Sequence, residues 1–251
     1  MGFINVSKID WTDYGVNTYL GCEHKCIYCY SRRFLKRFGR QVSDDPRPRD
    51  FDPYAVKMEA LKIPRYRKIM VNTLSDPYPR VEMHYRHTRK FLESVLPTGR
   101  MILILTKSPL VVNDLDLLRR FENGKVGFSI TGLNDSEVRK WEPYAPPVSE
   151  RIEALKKVKA EGVSTFVSIE PWLPCTRPAE IIRELRRYVD WWIIGRLNHQ
   201  VRFPELGLYG LSDDEYRAMW PDVKRELLNT GKPFVIKREL RKTLETAMSE
   251  P

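Results

Sequence analysis

Apolar positions along the chain gather into short continuous runs, and most are followed by a stretch with helical spacing. The runs are Lys68-Ile-Met-Val-Asn-Thr-Leu74, Met101-Ile-Leu-Ile-Leu-Thr106, Val126-Gly-Phe-Ser-Ile-Thr131, Ser164-Thr-Phe-Val-Ser-Ile169, Asp190-Trp-Trp-Ile-Ile194 and Pro233-Phe-Val-Ile236. Continuous rather than alternating apolar character suits strands buried on both faces. Helices are predicted behind the runs over about 81–96, 110–121, 148–161 and 178–188, with one more at the C-terminus. Glu150, Ile152, Leu155 and Val158 carry the spacing in the third, Gly162 stands where its C-cap belongs, and Pro178 suits a first turn. Strands alternating with helices predict βαβ units, a parallel sheet and an α/β fold. The count fits a full or partial (β/α) barrel better than an open sheet.

In such barrels chemistry gathers on the loops after the strand C-termini. The positions to watch are therefore Thr73, Ser75 and Asp76; Lys107 and Ser108; Ser129 and Thr131; Glu170 and Cys175; and Arg196 and Asn198.

Length and composition narrow this picture. The 251 residues, 42% hydrophobic, suffice for one sizeable core, so a single domain over 1–251 is expected. Its core would span about 15–195, with a C-terminal βα extension over about 196–251. No apolar run approaches the roughly 20 residues that cross a bilayer, and the first residues lack a secretory leader pattern. The expectation is a soluble, cytoplasmic protein with no membrane partner. The formal net charge of +10 makes DNA or RNA a plausible partner, although many enzymes are simply basic. Arg32, Arg33, Lys36, Arg37 and Arg40 form either a solvated helix face or a substrate-steering patch.

Three of the four cysteines lie together in Cys22-Glu-His-Lys-Cys26-Ile-Tyr28-Cys29, and Cys175 stands alone. In a reducing compartment this cluster points to a metal site rather than a disulfide framework. Three thiolates on a four-iron cube leave one iron open for a reactant. A structural zinc with His24 or Cys175 as fourth ligand is the rival, but zinc sites more often show paired knuckles.

The C-x₃-C-x₂-C spacing, with an aromatic residue before the last cysteine, resembles the signature of the radical S-adenosylmethionine (SAM) superfamily. Further segments are similar to its spore photoproduct lyase-like branch: Ser75-Asp-Pro-Tyr-Pro-Arg-Val-Glu82, Thr88-Arg89, Leu105-Thr-Lys107-Ser108, Asp114-Leu-Asp-Leu-Leu118, Phe128-Ser129-Ile-Thr131, Trp141-Glu142-Pro143 through to Arg151, and Ser168-Ile-Glu-Pro171. They run in order from about residue 17 to 175. The resemblance implies a partial (β/α)₆ barrel and a [4Fe–4S] cluster on Cys22, Cys26 and Cys29. It also implies SAM contacts from Ser75, Lys107 and Ser129, with Tyr28 packing on the adenine. SAM would be cleaved reductively to a 5′-deoxyadenosyl radical, with an external electron donor such as flavodoxin or ferredoxin.

The resemblance weakens at one position. The lyase's hydrogen-donating cysteine corresponds to Thr73, and a threonine O–H bond is too strong to replace a thiol. Thymine-dimer repair itself is therefore not expected. Cys175 is a candidate substitute donor, with a buried small hydrophobe as its plainer reading. Glu142 and Arg151 are expected to form a structural ion pair. With one cysteine left over, a second cysteine-ligated cluster in the same chain is excluded. Two other functions stay open: a zinc-bearing nucleic-acid binder without catalysis, and a radical enzyme acting on a peptide or small metabolite.

Overall fold

The computed structural model describes residues 2–197 and 202–245. Asn198 lies outside the described residues. Eight strands form one sheet whose spatial order follows the chain. They are β1 (Asn5–Val6), β2 (Tyr14–Val16), β3 (Lys68–Val71), β4 (Met101–Thr106), β5 (Lys125–Ser129), β6 (Ser164–Trp172), β7 (Trp191–Arg196) and β8 (Phe234–Ile236). The β1–β2 pair is antiparallel, and every later pair is parallel. The ladder ends at β1 and β8 without closing, so the fold is a partial β/α barrel.

Alternate positions on each strand face opposite ways, and the core divides accordingly. Ile69, Val71, Ile102, Ile104, Phe128, Val167 and Ile194 belong to a large outer cluster shared with the helices. Met70, Leu103, Phe166 and Ile193 point inward and pack with Trp11 as a plug. Gly127 completes that inner layer: a Cβ there would lie 2.3 Å from the Phe166 ring. One layer further along the strands, the inward residues turn polar. Asn72, Ser129 and Ser168 stand there beside Leu105, all on the wall of one cavity. The sequence therefore places an apolar floor beneath a polar site.

The main helices are α1 (Tyr30–Lys36), α2 (Pro53–Leu61), α3 (His87–Val95), α4 (Val148–Ala160), α5 (Pro178–Leu185), α6 (Asp213–Asn229) and α7 (Arg238–Glu245). Gly162 follows α4 with φ +77°, and Pro178 opens α5, as expected. Ser212 and Glu215 cap α6 reciprocally.

Two expected helices are interrupted. The one over 81–96 breaks at Arg86, whose φ of +47° is left-handed. The buried Glu82 carboxylate causes the break by accepting from the backbone N–H groups of His87, Thr88 and Arg89 at 2.8–3.1 Å. It thereby caps α3 with charge, as helix N-termini favour. The helix over 110–121 is a 3₁₀ turn, Pro109–Asp114, and a single α-turn, Leu115–Leu118. Beyond residue 196, β8 adds to the sheet beside β7, and α7 packs against α6.

Candidate active site

The cysteine segment follows β2 and is tied to the end of β3 by side-chain hydrogen bonds. Asn17 Oδ1 accepts from the N–H groups of Thr73 (3.0 Å) and Leu74 (2.8 Å). Asn72 Oδ1 accepts from both the N–H and the hydroxyl of Thr18 at 2.8 Å. Gly21, just before Cys22, and Lys25, just before Cys26, take positive φ and turn the chain sharply at each of these cysteines. Asp44 clamps the outside through Lys25, at 3.0 Å, and Arg32.

Cys22, Cys26 and Cys29 all line a cavity of about 780 Å³ at the C-terminal ends of the strands. All three are free thiols, Cys26 buried and the other two partly so. Burial pushes the Cys22 thiol up to about 11 and the Cys26 thiol to about 12. His24 is buried between them in sequence, with Nδ1 3.7 Å from Asp76 Oδ2, and desolvation lowers its pKa.

Tyr28, Ser75, Lys107 and Ser129 line the same cavity. The Ser75 hydroxyl donates to the Tyr19 carbonyl (2.8 Å) and accepts from Asn72 Nδ2 (2.7 Å), so its position is fixed. Lys107 Nζ lies 4.0 Å from Glu142 Oε1 and 5.7 Å from the centre of the Tyr28 ring. Burial works against its charge, but Glu142 and Cys26 outweigh that and raise its pKa. Asp76 is a turn residue: its carboxylate accepts from the Tyr78 N–H, the Thr106 hydroxyl and the Lys107 N–H at 2.6–2.9 Å. It thereby joins the loops after β3 and β4.

Glu142 anchors the far side. Its Oε1 accepts from the Tyr28 and Thr131 hydroxyls, and Arg151 Nη2 stands 2.5 Å from Oε2. Burial raises its pKa, but Arg151 and Lys107 outweigh burial and hold it at about 2. This is the expected ion pair across the loop.

The fourth cysteine is placed elsewhere. Cys175 is absent from the cavity wall and packs beside Trp141, Leu173 and Leu197. The Thr176 hydroxyl donates to the Thr131 carbonyl and accepts from the Leu173 N–H, closing the turn that contains Cys175. Cys175, the candidate hydrogen donor, thus borders residues of the site, Tyr28 and Leu197, without itself lining the cavity. Thr73, by contrast, does line the cavity.

Sequence reasoning gave Ser168 no role of its own. Its side chain is 1% exposed, lines the cavity, and its Oγ has no hydrogen-bond partner among the described residues. A buried hydroxyl without a partner is costly unless a ligand satisfies it. The available signal was parity: Ser168 shares the inward face of β6 with Glu170.

The donor set fits an iron–sulfur cluster: three free thiols share one cavity wall, and such clusters are held by cysteine thiolates. A four-iron core spreads its ligands over several metal atoms, so thiols set around a cavity wall suit it. The cavity is also within the usual size range for ligand pockets.

Residues 16–189 match the Radical SAM superfamily. The chain belongs to that superfamily. It is therefore a radical SAM enzyme, and enzymes of this family work with a [4Fe–4S] cluster and SAM and generally draw on an electron donor. An uncharacterized protein of Methanocaldococcus jannaschii, MJ0683, is 31% identical over 198 residues, covering 78% of this chain and 74% of that protein. An uncharacterized protein of Acidianus two-tailed virus, ORF301, is 33% identical over 181 residues, covering 68% and 60%. Among solved structures, a spore photoproduct lyase variant superposes with a TM-score of 0.73 at 18% identity, covering 93% of this chain and 79% of that one. SAM-bound SuiB of Streptococcus suis gives 0.62 at 11% identity, covering 89% and 49%. At these identities the structural likeness concerns the fold. No helix among the described residues is long and apolar enough to cross a membrane.

Proposed function

We propose that this enzyme cleaves SAM reductively and directs the resulting radical at a polynucleotide substrate bound over the cavity. Bound together, the cluster and SAM supply a 5′-deoxyadenosyl radical that abstracts a hydrogen atom from substrate. Cys22, Cys26 and Cys29 hold the cluster by their thiolates. Lys107 pairs with the SAM carboxylate, while Ser75 and Ser129 bond its polar groups. Tyr28, held by Glu142, offers its ring to the adenine. The buried hydroxyl of Ser168 completes the polar layer beside Ser129, its register partner on the neighbouring strand.

The convergence of the three thiols with Ser75, Lys107 and Ser129 on one cavity carries this reading. Thr73 leaves no thiol at the position where the lyase keeps one, so the reaction differs from dimer repair. The reductant is a small donor such as flavodoxin or ferredoxin, and the four free thiols suit the reducing cytoplasm. Anaerobic reconstitution with iron and sulfide, then reduction in the presence of SAM, tests the reading. About four irons per chain and formation of 5′-deoxyadenosine are expected; an iron-loaded, reduced sample that never cleaves SAM overturns it.

A further inference from the structure

We propose that one face of α1 is a rail for single-stranded nucleic acid, stacking bases on Tyr30 and Phe34 and holding phosphates with Arg33 and Arg37. The inference rests on the proposed polynucleotide substrate and names the surface and the strand state. The four residues stand at i, i+3, i+4 and i+7, one face of a helix, and all four line the mouth of the cavity. Tyr30 is 49% exposed and Phe34 44%, a poor use of aromatic surface unless something covers it. Phe38, one turn further, meets Phe34 edge-on with ring centres 5.2 Å apart and lengthens the strip.

Charge chooses the occupant. Seven lysine and arginine side chains line the cavity against four carboxylates, and three of the seven, Lys107, Arg196 and Lys237, have carboxylate partners of their own in Glu142, Asp213 and Glu170. Every carboxylate on the cavity wall is already engaged. Asp76 holds the Lys107 N–H, Glu170 pairs with Lys237 at 2.6 Å, Asp10 accepts from the Arg238 N–H, and Glu239 pairs with Lys242. Arg33 and Arg37 have no carboxylate partner among the described residues, whereas their neighbour Arg32 is spent on Asp44. Unpaired guanidinium groups alternating with exposed rings match a chain of phosphates and unstacked bases. In a duplex the base faces are stacked within the helix, so a single strand is the form this face can use. The rail starts at Tyr30, directly after Cys29, which brings a bound strand over the site.

Fluorescence anisotropy of the reconstituted chain with a labelled single-stranded oligonucleotide, across a salt series, tests this. Arg33→Ala/Arg37→Ala is expected to flatten the dependence of log affinity on log salt by about 1.4, two phosphate contacts at about 0.7 each. Phe34→Ala is expected to weaken binding about tenfold with the slope unchanged, the signature of lost stacking. Equal binding of polyglutamate, a duplex preferred over the single strand, or an unaltered slope in the double variant overturns the rail. SAM cleavage assayed without oligonucleotide keeps the two readings apart. A chain that cleaves SAM but binds no strand defeats only the rail and the polynucleotide substrate. A chain that binds the strand with these signatures but never cleaves SAM defeats only the catalytic reading.

Discussion

Arg151, on the first turn of α4, reaches Glu142 with Nη2 2.5 Å from Oε2, both side chains sealed from solvent. The same guanidinium donates to the carbonyls of Pro146 and Ser129, so it ties the loop after β5 to the helix that follows. Removing one member of such a pair strands a buried charge. Arg151→Met should therefore destabilise the fold by about 3–5 kcal/mol, measured by urea unfolding of the metal-free chain. Arg151→Lys should recover only part of this, because an ammonium lacks the fork that spans three acceptors. Full recovery by lysine would show that charge alone matters.

Glu142 also makes stability depend on pH. Its pKa falls from the usual 4.5 to about 2 because Arg151 and Lys107 outweigh the burial that would raise it. A depressed carboxylate contributes stability that is whole above pH 4.5 and disappears as pH falls toward 2. The contribution amounts to about 3 kcal/mol. Urea midpoints between pH 5 and 2.5 should fall more steeply for the wild type than for Glu142→Gln. Parallel curves would contradict the assignment.

The repeating βα framework was legible because burial on both faces leaves a continuous apolar signature on each strand. Tyr14–Val16 is not legible in the sequence: three residues with a central glycine carry no pattern, and the strand is recognised by its pairing with β1 and β3. The break at Arg86 was equally hidden, since it depends on Glu82 turning back across space to cap α3. At the site, Ser75, Lys107 and Ser129 could be placed because strand ends are readable. The fate of Cys175 could not. It depends on the turn that two hydrogen bonds of Thr176 close around it. The surface of α1 was half visible: its arginines stood out, but that its aromatic residues share the cavity mouth needed the fold.

Lys107 sits where a carboxylate-bearing ligand would gain a charge-assisted contact. Lys107→Met keeps the stem and loses the charge, while Glu142 retains Arg151 as a partner. Iron content should stay at the wild-type level, and SAM affinity should drop about 10- to 100-fold, as loss of a hydrogen bond to a charged group implies. Equilibrium dialysis of reconstituted protein with labelled SAM gives the comparison. Unchanged affinity would remove Lys107 from the SAM site.

The four cysteines should divide three to one. Alanine at Cys22, Cys26 or Cys29 should each abolish stable iron loading and 5′-deoxyadenosine formation. Cys175→Ala should retain both, because that residue packs with Trp141 and Leu173 and does not line the cavity that the other three share. Iron analysis and the absorbance of the reconstituted proteins report the first effect, and product chromatography the second. Loss of iron in the Cys175 variant would revive it as a ligand.

Gly127 and Phe166 link the barrel floor to the chemistry above it. A Cβ at Gly127 would meet the Phe166 ring at 2.3 Å, far inside contact distance, and Phe166 is wholly buried against Trp11 and Trp191. Gly127→Ala should therefore cost about 1–3 kcal/mol by overpacking. Phe166→Leu alone should also destabilise, by opening space beneath the cavity. Together the two changes should cost less than their sum, since the smaller side chain makes room for the methyl group. A double-mutant cycle in urea measures that coupling directly. Ser129 and Ser168 stand two residues further along the same two strands, facing the same way. Gly127→Ala should thus weaken SAM binding as well as the fold, and Phe166→Leu should restore part of both. Additive stability changes would mean that the floor and its glycine do not act as one layer.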